Sequence, residues 1–346
     1  MLRDENNGGR RVTRRDVAAA AGVSLTTVTH ALNPKPGTRM NAETRDRVCK
    51  VAKELGYRPS FVGRALVSGR TYTVGLLQPT HEVLFSEFYQ QMVYGMLRAM
   101  EDDDYSMLIL FRSRENRWER LVSQGRVDGM LVLQSDAVTD HVGRLAELGL
   151  PSVVVNKGVP TPSGGRIGCV HSDHRQMMSD AVGAFAELGC RSLVALHNPD
   201  CSDANRQMHE GFTQALSDRA GEGVTGATLA PDRDHFRRQV RGMLADGVRW
   251  DGVLIDGVGL ADDFVAEAKQ IGLVAGTDYQ LITTDCRNGA LTSDSVELVA
   301  YTHQAELVGQ EAWSLLRGLI RGESQGQTHL VPYRRVAPQP SPCVSV

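Results

Sequence analysis

The six cysteines, Cys49, Cys169, Cys190, Cys201, Cys286 and Cys343, are widely spaced and form no C-x-x-C pair. That pattern argues against a zinc ribbon, a redox motif or a disulfide framework, and leaves buried thiols as the reading. No apolar run approaches the ~18 residues that a membrane span needs. The opening MLRDENNGGRRVTRRD has no apolar core for a secretory signal, so the expected compartment is the cytoplasm. Sequences that announce common enzyme chemistries are missing too: no G-x-S-x-G, H-E-x-x-H or Walker segment occurs. DGVGLAD follows an apolar run, but Asp262 stands where a dinucleotide loop needs its third glycine. Cys169, His171 and His174 raise a metal reading, yet they lie on a strand whose alternate residues face opposite sides, and a fourth ligand is not evident. The EDDD run at 101–104 reads as a solvated turn rather than an acid catalyst. No catalysed reaction, cofactor or metal is expected.

What is present is a chain of ordinary globular composition, 346 residues with 41% hydrophobic and 23% charged positions, long enough for two or three domains with cores of their own. The net charge of −3 hides a division. Residues 1–72 carry 14 Lys+Arg against 6 Asp+Glu, a balance of +8, and the remainder carries −11. A short basic segment on a larger acidic body points to a head that binds a polyanion.

The head reads as helices. In TRRDVAAAAGVSLTTVTHALN, Thr13 and Asp16 have the S/T-x-x-D form of a helix start, and Val17, Ala20 and Ala21 give an apolar stripe. Gly22 supplies a left-handed residue to end that helix, and Ser24 caps a second helix beginning at Leu25. This second helix turns Val28 and Leu32 inward and leaves Thr26, Thr27, Thr29 and His30 on its other face. Short polar side chains just after a helix N-terminus suit the major groove; the competing reading is a three-helix interaction module that binds no DNA. A third helix fits NAETRDRVCKVAKEL, capped by Asn41, with Val48, Val51, Ala52 and Leu55 on its core side.

The ordered set D-V-A-x-x-A-G-V-S-x-x-T-V-T, T-R-x-R-V, E-L-G-Y-x-P, then R-A-L before the strand T-V-G-L-L, resembles the lac repressor family of bacterial transcription regulators. The resemblance implies that Thr13, Arg14, Arg15, Ser24 and Thr44 contact phosphates. Leu25, Thr26 and His30 would read bases, with Thr29 and Asn33 close to the backbone and Tyr57 also among the DNA-binding residues. Residues 60–67 match the family's hinge helix, and Leu66 matches the leucine that wedges into the minor groove and kinks the DNA; the competing reading of Leu66 is an incidental residue in a linker. The loop NPKPGTRMN is about two residues longer than the family spacing, and Gly63 replaces the usual alanine, which costs a helix roughly 1 kcal/mol.

Beyond Arg70, apolar runs at 72–78, 105–111, 128–134, 151–156, 191–197, 250–256 and 279–285 alternate with amphipathic segments at 86–101, 141–148, 180–188, 204–216 and 260–271. That alternation predicts parallel, doubly wound sheets. The expected fold is an all-α helix-turn-helix head followed by an α/β, two-lobed, periplasmic-binding-protein-like sensor. The expected layout is a disordered N-terminus over 1–11, a DNA-binding domain over 12–58 and a hinge over 59–71. A sensor and dimerisation domain follows over 72–336, with one lobe at about 72–173 and 303–331, the other at about 174–302 and 332–336, and a disordered tail over 337–346. APQPSPCVSV has no leucine heptads, so a tetramerising coiled coil is not expected.

By position, the resemblance places Asn156, His174, Asp256, Asp285 and His303 against an effector in the interlobe cleft, with Phe85 and Phe88 on the first loop lining it. The family commonly has Asp at position 156, Asn-Asp at 256–257 and Gln at 303. Many sugar- and purine-binding members place an effector-clamping Arg where this chain has Met208, and Arg206 lies two residues earlier. Either the ligand lacks an anionic or densely hydroxylated group there, or Met208 faces the core and another residue takes the role. The implied partners are operator DNA, a small metabolite and a second copy of the chain, with no membrane and association with the nucleoid when bound. The alternatives are a regulator whose cleft binds a protein or nothing, and an exported solute-binding protein, which the basic head opposes.

Overall fold

The computed structural model describes residues 12–32, 40–58, 61–78, 87–111, 117–133, 138–158, 165–197, 203–231, 235–285 and 299–336. The chain divides into two compact units, Met1–Thr71 and Tyr72–Val346.

The first unit is helical: α1 (Arg14–Ala21), α2 (Leu25–Leu32), α3 (Ala42–Glu54) and α4 (Phe61–Ser68). The caps fall where the sequence puts them. Thr13 and Asp16 form a reciprocal capping box, Gly22 is left-handed at φ 65°, and Asn41 Oδ1 accepts from the Glu43 amide at 3.0 Å. Val17, Ala18, Ala21, Val28, Ala31, Val48 and Ala52 make a small core. The buried arc of α1 includes Ala18, whereas Ala20 is exposed, because the helix packs against both α2 and α3 and its apolar stripe turns toward the pair. Leu55, expected in the core, is exposed just past the end of α3.

The second unit holds two six-stranded sheets. The first contains β1 (Thr73–Gln78), β2 (Ser106–Phe111), β3 (Gly129–Leu133), β4 (Ser152–Val155), β5 (Ile167–Ser172) and β11 (Thr328–Val331), in the order β11-β5-β4-β3-β1-β2. All its pairings are parallel. The second contains β6 (Ser192–Leu196), β7 (Thr225–Leu229), β8 (Gly252–Ile255), β9 (Gln280–Asp285), β10 (Val299–Thr302) and β12 (Arg334–Val336), in the order β12-β10-β9-β8-β6-β7. Only β12 runs antiparallel.

Helices cover both faces of each sheet, as a parallel sheet buried on both sides requires. On the first sheet, α5 (Glu87–Met100) and α12 (Ala305–Arg321) pack over one face, and α6 (Arg117–Ser123) and α7 (Val138–Glu147) over the other. On the second, α8 (His174–Glu187) and α9 (Asp203–Asp218) oppose α10 (Phe236–Ala245) and α11 (Val258–Gln270). Two glycines bring α5 and α12 together: a Cβ on Gly95 would lie 2.0 Å from the Glu306 carbonyl oxygen, and one on Gly309 would lie 2.0 Å from that of Met92.

The chain crosses between the sheets three times: from β5 to α8, from β10 to α12 and from β11 to β12. The crossings are tied to one another. Ser172 Oγ donates to the His303 carbonyl at 3.4 Å, Gln304 Nε2 donates to the Pro332 carbonyl at 2.7 Å, and His174 Nδ1 meets the Tyr333 hydroxyl at 2.8 Å.

The periodicity misses α6, α10, α12, β7, β10, β11 and β12, none of which falls among the apolar runs and amphipathic segments read from the sequence. α8 begins at His174 rather than near 180, because the Asp173 carboxylate accepts from the Gln176 amide at 3.1 Å and caps a turn that looks polar in sequence. β7 reads TGATL and is half exposed, an edge strand with no apolar run to announce it.

Candidate functional site

The first candidate site is the free face of α2. Val28 and Ala31 are buried, Leu25 and Thr26 at its first turn are exposed, and Thr27, Thr29 and His30 are half-buried. The turn before it is fixed locally: Ser24 Oγ accepts from the Thr27 amide at 3.1 Å, which satisfies one of the donors that a helix start leaves open. The Thr29 hydroxyl donates to the Leu25 carbonyl at 2.9 Å and accepts from Arg14 at 3.3 Å. Arg14 therefore ties α1 to α2. The Thr13 hydroxyl is likewise engaged, donating to the Asp16 carboxylate at 2.7 Å. Arg15 is exposed, Thr44 is half-buried in the first turn of α3, and Tyr57 packs on the head core. Leu66 on α4 is 86% exposed, the most exposed large apolar side chain described. Asn33 lies outside the described residues. Leu25, Thr26, Arg15 and Leu66 are thus exposed, His30 is half-buried beside the first two, and Thr13, Ser24 and Thr29 hold the unit's shape.

The second candidate site lies at the carboxyl ends of the strands, where the three crossings meet. His303 packs at 4.6 Å from Tyr333, 5.1 Å from Phe88 and 6.1 Å from His174, ring centre to ring centre. His171 stacks on His174 at 6.4 Å, and its Nδ1 meets the Ser172 carbonyl at 2.9 Å. Burial, and then the proximity of His303 and His171, lowers the His174 pKa to about 3. His174 is therefore a neutral imidazole at ordinary pH. Asn156, left-handed at φ 63°, follows β4 and shares a hydrogen bond with Tyr89, whose own pKa burial raises. On the facing lobe the Asp256 carboxylate accepts from the Thr284 hydroxyl at 2.5 Å. The Asp203 carboxylate reaches across the gap and accepts from the Gly158 amide at 3.1 Å. Asp285 ends β9, and Phe85 lies outside the described residues.

The family profile described as bacterial regulatory proteins, lacI family, matches residues 13–60, and that for periplasmic binding proteins and the sugar binding domain of the LacI family matches residues 71–247. The chain belongs to the lacI family of bacterial regulatory proteins. The HTH-type transcriptional regulator AglR of Rhizobium meliloti is 27% identical over 79% of this chain and 78% of its own length. The HTH-type transcriptional repressor PurR of Photorhabdus laumondii is 28% identical over 91% and 93%. Among solved structures, the lac repressor dimer bound to operator and the anti-inducer ONPF superposes with a TM-score of 0.73 at 21% identity, over 94% of this chain and 98% of that one. A CelR–cellobiose complex gives 0.65 at 23% identity, over 94% and 99%. This lacI-family chain is a DNA-binding transcriptional regulator, not an enzyme, and no described helix is long and apolar enough to cross a membrane.

Within the lacI frame, two expectations for the cleft are corrected. Met208 is 2% exposed and packs among Met178, Phe212 and Ala215 between α8, α9 and the second sheet, because it falls on the apolar face of α9. Arg206 is on the outer face of the same helix, exposed, and held by Asp203 and by Glu210 at 3.1 Å. Neither offers a cation to a ligand. Tyr333, Tyr89 and Asp203 were not anticipated. Tyr333 had one signal, the Pro332 that breaks β11 from β12.

Proposed function

We propose that the chain is a repressor that binds a pseudo-palindromic operator as a homodimer, with residues 12–58 reading each half-site and residues 59–71 acting as hinge. A small cytoplasmic metabolite in the interlobe cleft sets operator affinity. The observation that carries this reading is α2: a capped helix with Val28 and Ala31 buried and its first turn, Leu25 and Thr26, turned outward. Such a helix presents short side chains to base edges. The lac repressor structure with dimer, operator and ligand supports the same arrangement here. The second copy has a face of suitable chemistry, since Tyr94 and Leu97 on α5 and Ile109 on the edge strand β2 are exposed apolar residues of one lobe.

Selection of bound sequences from a random DNA pool, followed by sedimentation of the complex, tests the reading. The expected result is a two-fold symmetric site occupied by two chains. Unsymmetric sequences, or one chain per site, would overturn it.

One observation favours a second reading of the cleft. With Met208 in the core and Arg206 neutralised by Asp203 and Glu210, the cleft has no arginine at the family's clamping position, which favours an uncharged effector or a protein regulator. Calorimetric titration with metabolites, with operator release as the readout, separates the two.

A further inference from the structure

Gly158, in the loop after β4, donates its amide to the Asp203 carboxylate at the start of α9 and so ties the first lobe to the second. The space beside it is narrow. A Cβ on Gly158 would lie 3.2 Å from Asp203 Oδ2, 3.4 Å from Gln207 Nε2 and 3.5 Å from His171 Nε2. A histidine of the first lobe therefore flanks the bond that latches the two lobes together.

His171, near the end of β5, is 5% exposed, and its Nδ1 meets the Ser172 carbonyl at 2.9 Å. A carbonyl oxygen only accepts, so Nδ1 carries the hydrogen and Nε2, the nitrogen beside Gly158, keeps its lone pair. The next proton the ring takes goes to the side of the carboxylate. Asp203 stays charged to meet it: burial would raise its pKa, but the bonds from Gln207, Arg206 and Gly158 outweigh this and hold it below the ordinary value.

The surrounding groups leave that pairing open. On α8, His174 stacks on His171 at 6.4 Å but is neutral, its pKa lowered to about 3 by burial and then by His303 and His171. From the crossings, His303 lies 6.1 Å beyond His174, and Tyr333 is a neutral phenol because burial raises its pKa. Asp256 faces His174 from the second lobe, and β11 sets the apolar Leu330 level with His171. Two cations oppose a charge on His171. Lys157 precedes Gly158 and is half-buried, and Arg206 is already held by Asp203 and Glu210.

We propose that His171 is a proton switch on the lobe latch: protonation at Nε2 sets a cation beside the Asp203 carboxylate and tightens the Gly158–Asp203 closure. The closed latch then binds the proton more strongly than the open one, so acid favours closure and alkali releases it. Any effect on DNA rests on the reading that the lobes control operator affinity.

The test reads the latch itself, by hydrogen exchange at the Gly158 amide in the full chain without DNA, corrected for the intrinsic effect of pH. Between about pH 7.5 and pH 5.5 protection is expected to rise about tenfold, equivalent to one unit of differential proton affinity. His171→Asn should abolish the rise. Asp203→Asn keeps an acceptor for the amide but loses the charge, and should abolish the rise while protection persists; it decides alone if His171→Asn does not fold. A rise of equal size in the parent and either variant, or protection that falls with acid, overturns the switch. Operator affinity at the same two pH values, in parent and His171→Asn, tests the coupling separately: a latch that responds while the two proteins bind operator alike would refute control of DNA by the lobes, not the switch.

Discussion

Replacing Asp103 with alanine tests what fastens α12 to its lobe. Asp103, in the turn after α5, has a side chain 9% exposed and accepts from Trp313 Nε1, Arg317 Nη1 and Arg321 Nη2, each at 3.0 Å. The three contacts are unequal. Trp313 is 1% exposed, and leaving its N–H unpaired costs about 1–3 kcal/mol. Arg317 and Arg321 are more than a third exposed, so water screens both pairs and each contributes only ~0.2–1 kcal/mol. Asp103→Ala is therefore expected to cost about 2–4 kcal/mol in urea unfolding followed by near-ultraviolet dichroism, which reports the Trp313 environment. Asp103→Asn keeps an acceptor for the indole and loses only the two screened pairs, an expected cost of about 0.4–2 kcal/mol, below that of Asp103→Ala. Equal losses in the two variants would mean that the charge, not the indole bond, carries the fastening. A loss under about 0.5 kcal/mol in Asp103→Ala would refute the reasoning outright.

His174 makes stability depend on pH. Its folded pKa of about 3 lies below the unfolded 6.5, so the unfolded chain binds a proton that the native one refuses, and stability falls as pH drops below 6.5, by up to ~1.4 kcal/mol per unit. Between pH 6.5 and 5, above the range where carboxylates contribute, His174→Asn should flatten this slope; an unaltered slope counts against a neutral buried imidazole. Asp203→Ala removes the carboxylate that accepts from the Gly158 amide, a charge-assisted bond of about 1.5–3 kcal/mol, and should open the lobes enough to raise the radius of gyration in solution scattering. An unchanged radius would show that the bond does not hold the gap. Leu66→Ala should weaken binding to the selected operator much more than to random DNA, and equal losses would remove Leu66 from the hinge. Arg15→Ala should weaken all sequences alike and reduce the salt slope by about one; an unchanged slope denies it a phosphate.

The head was largely legible because its signals are local. Thr13, Asp16, Gly22, Ser24 and Asn41 act within four residues of themselves, and each takes its expected conformation or bond. The parallel strands β1–β4, β6, β8 and β9 were legible as apolar runs because burial leaves little room for alternation, whereas the short parallel strands β10 and β11 were not. What escaped depended on partners distant in sequence. β7 is a strand only because β6 pairs with it, and Leu55 is exposed because it caps the end of α3, outside the helix's buried face. The cleft was only half legible. Position placed His174 and His303 correctly near one another. Tyr333 and Asp203 reach that region through a crossing and a facing helix, contacts that no spacing encodes.

The three crossings also order the events of synthesis. The head carries its own core, so it can close as soon as it leaves the ribosome. The first sheet cannot. Its face over β1, β3 and β4 is covered by Val308, Ala312, Trp313, Leu315, Leu316 and Leu319 of α12, and its edge by β11, all encoded after five of the six strands of the second sheet. Until those residues emerge, the nascent chain holds an uncovered sheet, the kind of surface that chaperones bind and that aggregates when crowded. Both lobes are thus finished only by the last strands, β11 for the first and β12 for the second, and truncation anywhere before Val331 leaves both incomplete.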